Sequence, residues 1–258
     1  MTAPARRSAR PVHAALIALT ALLLTPRASR ADGGGAWRDF LPPARASAAL
    51  AFDPARDRML MFAGADQVEH ADTWSFDGPT NEWTRLDSSG RLPPARSLPA
   101  VAFDAGQDRL WMFGGYSGTN ALSGLWSLDG SGGGWTQWQP RGILPTARGA
   151  GGMVLDPARD RLVLFGGQIS PGTGNSGATG DVWTLSPAAD TVRWTRLIPS
   201  GQAPAARWGA IVVLDAPRDR MIVLGGRDRD SVFTDAWELR FSPSPTWALI
   251  TPLGLRPP

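Results

Sequence analysis

DPARDRLVLFGG, residues 156–167, decides the fold class of this chain. Its opening residues read as a tight turn, because proline pre-sets φ and an aspartate side chain bonds its own backbone two residues on. Leu162-Val163-Leu164-Phe165 follows as an apolar run without alternation, so a strand built from it is covered on both faces. Gly166-Gly167 then ends the strand where backbone approaches backbone closely or takes positive φ. A strand that needs shelter on both sides implies a small sheet sandwiched between two others.

The same words recur in the same order. Acid-led turns begin at Asp53, Asp104, Asp156 and Asp215, and each feeds an apolar run: RMLMFAG from Arg58, RLWMFGG from Arg109, RLVLFGG from Arg161 and RMIVLGG from Arg220. Each is preceded by a proline-rich opening that ends in arginine, at Arg45, Arg96, Arg148 and Arg207, with spacings of 51, 52 and 59 residues. Each is followed by two tryptophans, first Trp74, Trp126, Trp183 and Trp237, then Trp83, Trp135, Trp194 and Trp247. Two residues before the first tryptophan stand Asp72, Gly124, Asp181 and Asp235. Self-similarity at a fixed period identifies a repeat architecture. Each unit translates into four short antiparallel strands: a hairpin around the acidic turn, then two tryptophan-bearing strands.

A repeat near 50 residues with four strands, paired glycines after a hydrophobic second strand and spaced tryptophans resembles the kelch repeat. The resemblance covers residues 36–256 and implies an all-β, kelch-type β-propeller with four four-stranded blades, in units of about 42–92, 93–144, 145–203 and 204–258. The first unit departs from the pattern with Ala63-Gly64 in place of Gly-Gly, and a tyrosine near the glycines appears only at Tyr116. Trp37-Arg38-Asp39-Phe40 matches the fourth-strand segments, so a lone outer strand at 36–41 is expected ahead of the first unit. Propellers commonly close a blade with such a strand, but the other three strands of that blade are missing. Gly254-Leu255-Arg256-Pro257-Pro258 looks like the lead-in at 90–94. The expectation is therefore an incomplete or open ring, a truncated copy of a longer propeller, with a four-bladed ring carrying one surplus strand as the alternative.

Residues 1–31 read as a secretory signal that precedes a propeller domain at 32–258. Arg6, Arg7 and Arg10 precede a 13-residue apolar run, Val12–Leu24, interrupted only by His13 and Thr20, and Ser29-Arg30-Ala31 supplies small residues for cleavage. Thirteen residues are too few to span a bilayer. Cleavage after Ala31 and export to a secreted, periplasmic or cell-surface location are expected, with no stable membrane span after processing. The net charge of +3 suggests a basic protein, but five arginines lie before Asp32 with no acid among them, and the remainder carries 21 arginines against 23 acids. No electrostatic footprint for nucleic acid survives.

Zero cysteine removes disulfides, thiolate nucleophiles and zinc-thiolate sites together. The copper site of galactose oxidase, a kelch-type enzyme, cannot be assembled from a mature chain with His70, Tyr116 and no cysteine. Asp66, Glu69, His70 and Asp72 lie within seven residues, but an oxygen-rich loop of this sort binds metal weakly, and no metal or other cofactor is expected. Ser75-Phe76-Asp77-Gly78 faintly resembles a sialidase Asp-box with one residue too many before the tryptophan. The three glutamates, Glu69, Glu82 and Glu238, form no paired carboxylates. No catalytic residue emerges.

Binding is assigned to the loops after each glycine pair, 65–71, 116–123, 168–180 and 227–234, which in kelch-like proteins share a face with the inter-blade loops. Arg45, Arg96, Arg148 and Arg207 either line a central channel and bind an anion together or, the weightier reading, form structural ion pairs or carbonyl contacts between blades. Asp72, Asp181 and Asp235 read as turn or strand-entry groups. Tyr116, Arg227 and Arg229 lie in the variable loops. Trp208 stands where other units have Ser47, Ser97 and Gly149, positioned to stack on a sugar or a partner side chain or to pack in the blade. The function expected is that of an exported, non-enzymatic scaffold binding a protein or glycan. The alternative is a noncatalytic or degenerate propeller module of a carbohydrate-active enzyme.

Overall fold

The computed structural model describes residues 41–169, 177–188 and 191–251, within a compact unit that runs from Phe40 to Pro258. The expected signal segment and, apart from Leu41, the lone strand at 36–41 lie outside the described residues, as does the terminal stretch from residue 252.

Four antiparallel sheets follow one another along the chain. The first holds β1 (Ala49–Asp53), β2 (Arg58–Phe62), β3 (Thr73–Asp77) and β4 (Glu82–Leu86), hydrogen-bonded in that order. After β5 (Ser89–Gly90), the second holds β6 (Ala100–Asp104), β7 (Arg109–Phe113), β10 (Leu125–Asp129) and β11 (Gly134–Trp138), with the small hairpin β8 (Tyr116–Ser117) and β9 (Asn120–Ala121) between β7 and β10. The third holds β12 (Gly152–Asp156), β13 (Arg161–Gln168), β14 (Ala178–Ala188) and β15 (Thr191–Leu197). After β16 (Ser200–Gly201), the fourth holds β17 (Ile211–Asp215), β18 (Arg220–Leu224), β19 (Ala236–Arg240) and β20 (Thr246–Ile250). This is the all-β, four-bladed propeller that the repeats imply. The inner strands β1, β6, β12 and β17 pack side by side in sequence, and no comparable packing joins β17 back to β1. Linkers stitch the outer rim, because β5 lies parallel to β11 and β16 parallel to β20.

In blades 1 and 2 the acidic turn forms the bonds expected of it. Asp53 Oδ1 accepts the N–H groups of Ala55 and Arg56 at 3.1 and 3.3 Å, and Asp104 Oδ1 those of Gly106 and Gln107 at 3.0 and 3.1 Å. In blades 3 and 4 it is a single 3-10 turn, Pro157–Arg159 or Ala216–Arg218, in which Asp156 and Asp215 do not bond their own backbone as expected but accept from Arg159 and Arg161 and from Arg218 and Arg220. The last aspartate of each turn, Asp57, Asp108, Asp160 or Asp219, takes φ between 45° and 50°, a left-handed conformation that aspartate tolerates better than most residues. Pairing then starts at Asp53–Arg58, Asp104–Arg109, Asp156–Arg161 and Asp215–Arg220. The first glycine of a pair is obligatory where the next blade crosses it: a Cβ on Gly114, at φ 70°, would stand 2.2 Å from the Arg148 carbonyl oxygen. Blade 1 departs here, with Ala63 held at φ 66°.

Between blades the core is apolar on both sides, as an unalternating second strand demands. Phe62 meets Trp135, Phe113 meets Trp194 and Phe165 meets Trp247 across successive seams, with ring centroids 4.7, 5.1 and 5.3 Å apart. The three tryptophans of these pairs each bury a large area in the seam. Trp111 is fully buried in β7, and Trp138 packs on it at 5.4 Å while its indole N–H donates to Ser127 Oγ at 2.8 Å.

Candidate binding face

The residue after each repeated arginine pairs with the residue after each glycine pair. Ala46 bridges Ala65, Ser97 bridges Tyr116, Gly149 bridges Gln168 and Trp208 bridges Arg227. The inter-blade loops and the variable loops therefore emerge together, and one end of the propeller carries both.

Beneath this face lie the four repeated arginines. Arg96, Arg148 and Arg207 are buried, and the Arg45 side chain is almost fully so. Each Nε donates to the carbonyl two residues earlier (Pro43, Pro94, Thr146 or Ala205), and each Nη1 donates to the carbonyl of the first residue of the glycine pair (Ala63, Gly114, Gly166 or Gly225). In blades 1, 3 and 4 the guanidinium also forms a fork with the carboxylate of Asp72, Asp181 or Asp235, with Nη2 contacts at 2.9, 3.0 and 3.1 Å. The same carboxylates accept the indole N–H of Trp74, Trp183 and Trp237 at 2.7, 2.6 and 2.7 Å. The three aspartates are thus the hubs of an arginine–aspartate–tryptophan staple within each blade, a role beyond the turn or strand-entry bonding read from sequence. In blades 1, 3 and 4 the guanidinium donors serve this staple inside one blade, not the contacts between blades read from sequence, and the anion-binding reading finds no support in their geometry. Burial pushes the Asp72 carboxyl up, but the bonds from Arg45 and Trp74 outweigh it and hold the group at about 2. The Arg207 bond likewise lowers Asp235.

Blade 2 lacks the hub. Gly124 replaces the aspartate, and Arg96 keeps its carbonyl contacts to Pro94 and Gly114 without a carboxylate fork. Burial lowers its pKa to about 10, opposed by the charge of Glu69.

The other candidates separate into buried and presented groups. Tyr116 is buried, and its hydroxyl donates to the Gln168 carbonyl oxygen at 2.6 Å, tying the loop of blade 2 to blade 3. Burial raises its pKa to about 12. Trp208 is half-buried with Arg227 stacked 5.5 Å from its ring centroid, and Arg227 and Arg229 are exposed. Sequence reasoning weighed Glu69 only as a metal ligand, whereas it accepts the Gly118 N–H at 2.9 Å and latches the first loop to the second. It missed Phe233, whose ring lies 4.1 Å beneath the Arg207 guanidinium, and the exposed loop-tip residues Val68 and Val232. An apolar residue inside an otherwise polar variable loop was the available signal for both valines.

The loop acids have structural partners: Asp66 caps the Val68 N–H at 2.9 Å, Glu69 serves Gly118 and Asp72 serves Arg45. Among the described residues no group of three or more histidine, cysteine or acidic side chains is placed to hold a metal ion. No helix among them is long and apolar enough to cross a membrane.

Four-stranded sheets joined in series, with paired glycines under converging loops, define a β-propeller of the repeat-built class. Residues 35–188 match the KLHDC2/KLHL20/DRC7 Kelch-repeats domain. The chain belongs to the kelch-repeat family. It is 30% identical over 158 residues to the Rho GTPase-activating protein gacHH of Dictyostelium discoideum, covering 59% of this chain and 10% of that protein. It is 27% identical over 186 residues to the Rab9 effector protein with kelch motifs of Xenopus laevis, covering 71% of this chain and 48% of that one. It is also 27% identical over 199 residues to the mouse leucine-zipper-like transcriptional regulator 1, covering 74% of this chain and 22% of that protein. The matched region spans less than half the length of each relative.

Proposed function

We propose that this chain is an exported, non-enzymatic scaffold that binds a protein through the face shared by its inter-blade and post-glycine loops. The observation that carries this reading is the four-fold bridge between the two loop sets, which fixes variable side chains on a rigid base. Trp208 and Arg227 offer an aromatic and a cation on one blade, residue types that anchor protein interfaces, and Val232 adds exposed apolar surface to the same loop. Kelch membership supports a binding role, and the signal-like pattern of residues 1–31 supports export.

Affinity purification of the tagged chain from its native extracellular or periplasmic fraction tests the binding role. A protein captured by the parent and lost with Trp208→Ala/Arg227→Ala, at unchanged melting temperature, is expected. Binding confined to a glycan array and lost with Trp208→Ala overturns the choice of a protein partner. Intact-mass measurement tests export: a chain beginning at Asp32 outside the cytoplasm is expected, and an uncleaved cytoplasmic chain refutes it.

A further inference from the structure

Each internal seam of the propeller repeats one set of contacts. The aromatic pairs Phe62–Trp135, Phe113–Trp194 and Phe165–Trp247 cross the three seams. A backbone bond crosses each seam near the axis: Leu98 N–H to the Ser47 carbonyl, Ala150 N–H to that of Leu98, and Gly209 N–H to that of Ala150, at 2.9, 2.9 and 2.8 Å. At two seams a forked ion pair joins the acidic turns, Arg56 with Asp108 at 2.6 and 2.7 Å and Arg159 with Asp219 at 2.7 and 2.8 Å. At the remaining seam Gln107 replaces the arginine and donates to the Pro187 carbonyl at 2.8 Å.

Both halves of a fourth seam are present, on opposite ends of the unit. Blade 4 carries Leu224, where the other blades have phenylalanine, and Arg218, at the position of Arg56 and Arg159. Blade 1 carries Trp83, at the position of the seam tryptophans, and Asp57, at the position of Asp108 and Asp219. The Arg218 side chain is 68% exposed and pairs locally with Asp215. Asp57 is exposed, and no ion pair to it occurs among the described residues. The surfaces around them are apolar where a soluble blade edge is normally polar: Ile211 is 63% and Val213 43% exposed on blade 4, and Leu50 50% and Phe52 49% on blade 1. In the interior seams the counterpart of Val213, Val154, is 8% exposed.

We infer that a second copy of this chain covers both ends: blade 4 of each copy docks on blade 1 of the other, with Arg218 of one facing Asp57 of its neighbour, and the two copies close an eight-bladed ring. The ends match each other in apolar outline and are opposite in charge, and among the described residues of one chain they do not meet. A head-to-tail contact leaves both ends satisfied only when the assembly closes, and two copies are the smallest closed solution.

The test is the mass of the purified mature chain by light scattering, with three variants. The parent is expected at twice the chain mass. Arg218→Glu and Asp57→Arg, both at exposed positions, are each expected to weaken dimerisation more than tenfold while circular dichroism stays unchanged. An equimolar mixture of the two is expected to recover the dimer, because one seam then pairs the introduced glutamate with the introduced arginine and the other keeps the parental pair. Ile211→Asp disrupts the apolar part independently and is expected to give a monomer. A monomeric parent overturns the inference. A filament or larger ring, a dimer indifferent to both Arg218→Glu and Ile211→Asp, or a mixture that stays monomeric also overturns it.

Discussion

Replacing Asp181 by asparagine removes one negative charge from the centre of the blade 3 staple at nearly constant volume. Arg148 is 1% exposed and cannot turn to water. It keeps the Thr146 and Gly166 carbonyls and the Thr179 hydroxyl as acceptors at 2.9, 3.1 and 3.0 Å, but its forked carboxylate is gone and Trp183 loses a charged acceptor. Breaking a buried ion pair by removing one partner costs about 3–5 kcal/mol, because the remaining charge is uncompensated. The surviving carbonyl contacts place the expected loss near the lower end, about 3 kcal/mol. For a domain of this size about 2–4 °C accompanies each kcal/mol, so calorimetry is expected to show a melting temperature lower by about 6–12 °C. The propeller already contains the comparison: Arg96 in blade 2 lives without a carboxylate fork, so Asp181→Asn weakens the fold without abolishing it. A drop under about 2 °C refutes the reasoning, since it means the staple contributes no more than an exposed ion pair.

The converse substitution, Gly124→Asp, supplies the missing hub in blade 2; Trp126 must shift because a Cβ there lies 2.8 Å from its indole nitrogen, and a rise in melting temperature of a few degrees is expected by calorimetry, a fall meaning that Trp126 does not yield. Tyr116 is the chain's one tyrosine, so ultraviolet titration reads it alone: a native midpoint near pH 12 is expected against about 10 after unfolding, and stability falls as pH rises through that interval, because the raised pKa leaves the folded state holding the proton longer. In acid the sign reverses. Asp219, held at about 2 by its bonds to Arg159 and Ser242, and Asp72, at about 2, contribute stability that is complete above about pH 4 and lost as pH falls toward 2; a flat melting temperature across that window contradicts the assignment.

Blade identity was legible because it is written in short-range chemistry. An acid-led turn, a run with no polar alternation and a glycine pair each impose a local constraint, and their recurrence in the same order makes the constraints mutually confirming. The convergence of inter-blade and variable loops was likewise readable through the family resemblance. The arginines were harder. Their spacing is regular, but a sequence does not reveal that Arg148 and Asp181, 33 residues apart, meet inside one blade; that depends on where the glycine pair turns the chain. Tyr116 was misleading for the same reason, since a lone tyrosine in a variable loop looks presented and is in fact turned down onto Gln168 of the next blade. Trp208 and Arg227 occupy repeated positions, but the repeat uses only their backbone bridge and leaves the side chains free to vary, and Arg229 lies in the variable loop.

Blade 2 shows how the face tolerates a broken repeat. Where Gly124 deletes the carboxylate, two contacts from outside the blade converge on the same region. Glu69 of blade 1 offsets the Arg96 charge electrostatically and accepts the Gly118 N–H, while Tyr116 reaches across to Gln168 of blade 3. The first two loops are therefore cross-linked to each other and to the base of blade 3 at Gln168, and among the described residues the loop of blade 4, whose charged tip is held by Asp228 bonding the N–H groups of Asp230 and Ser231, stands apart from that network. A surface whose loops are anchored before a partner arrives loses little conformational entropy on binding. On this propeller the pre-ordered side is built by the loops of blades 1 and 2, and exposed cationic and apolar groups, Arg227 and Val232, are offered by blade 4.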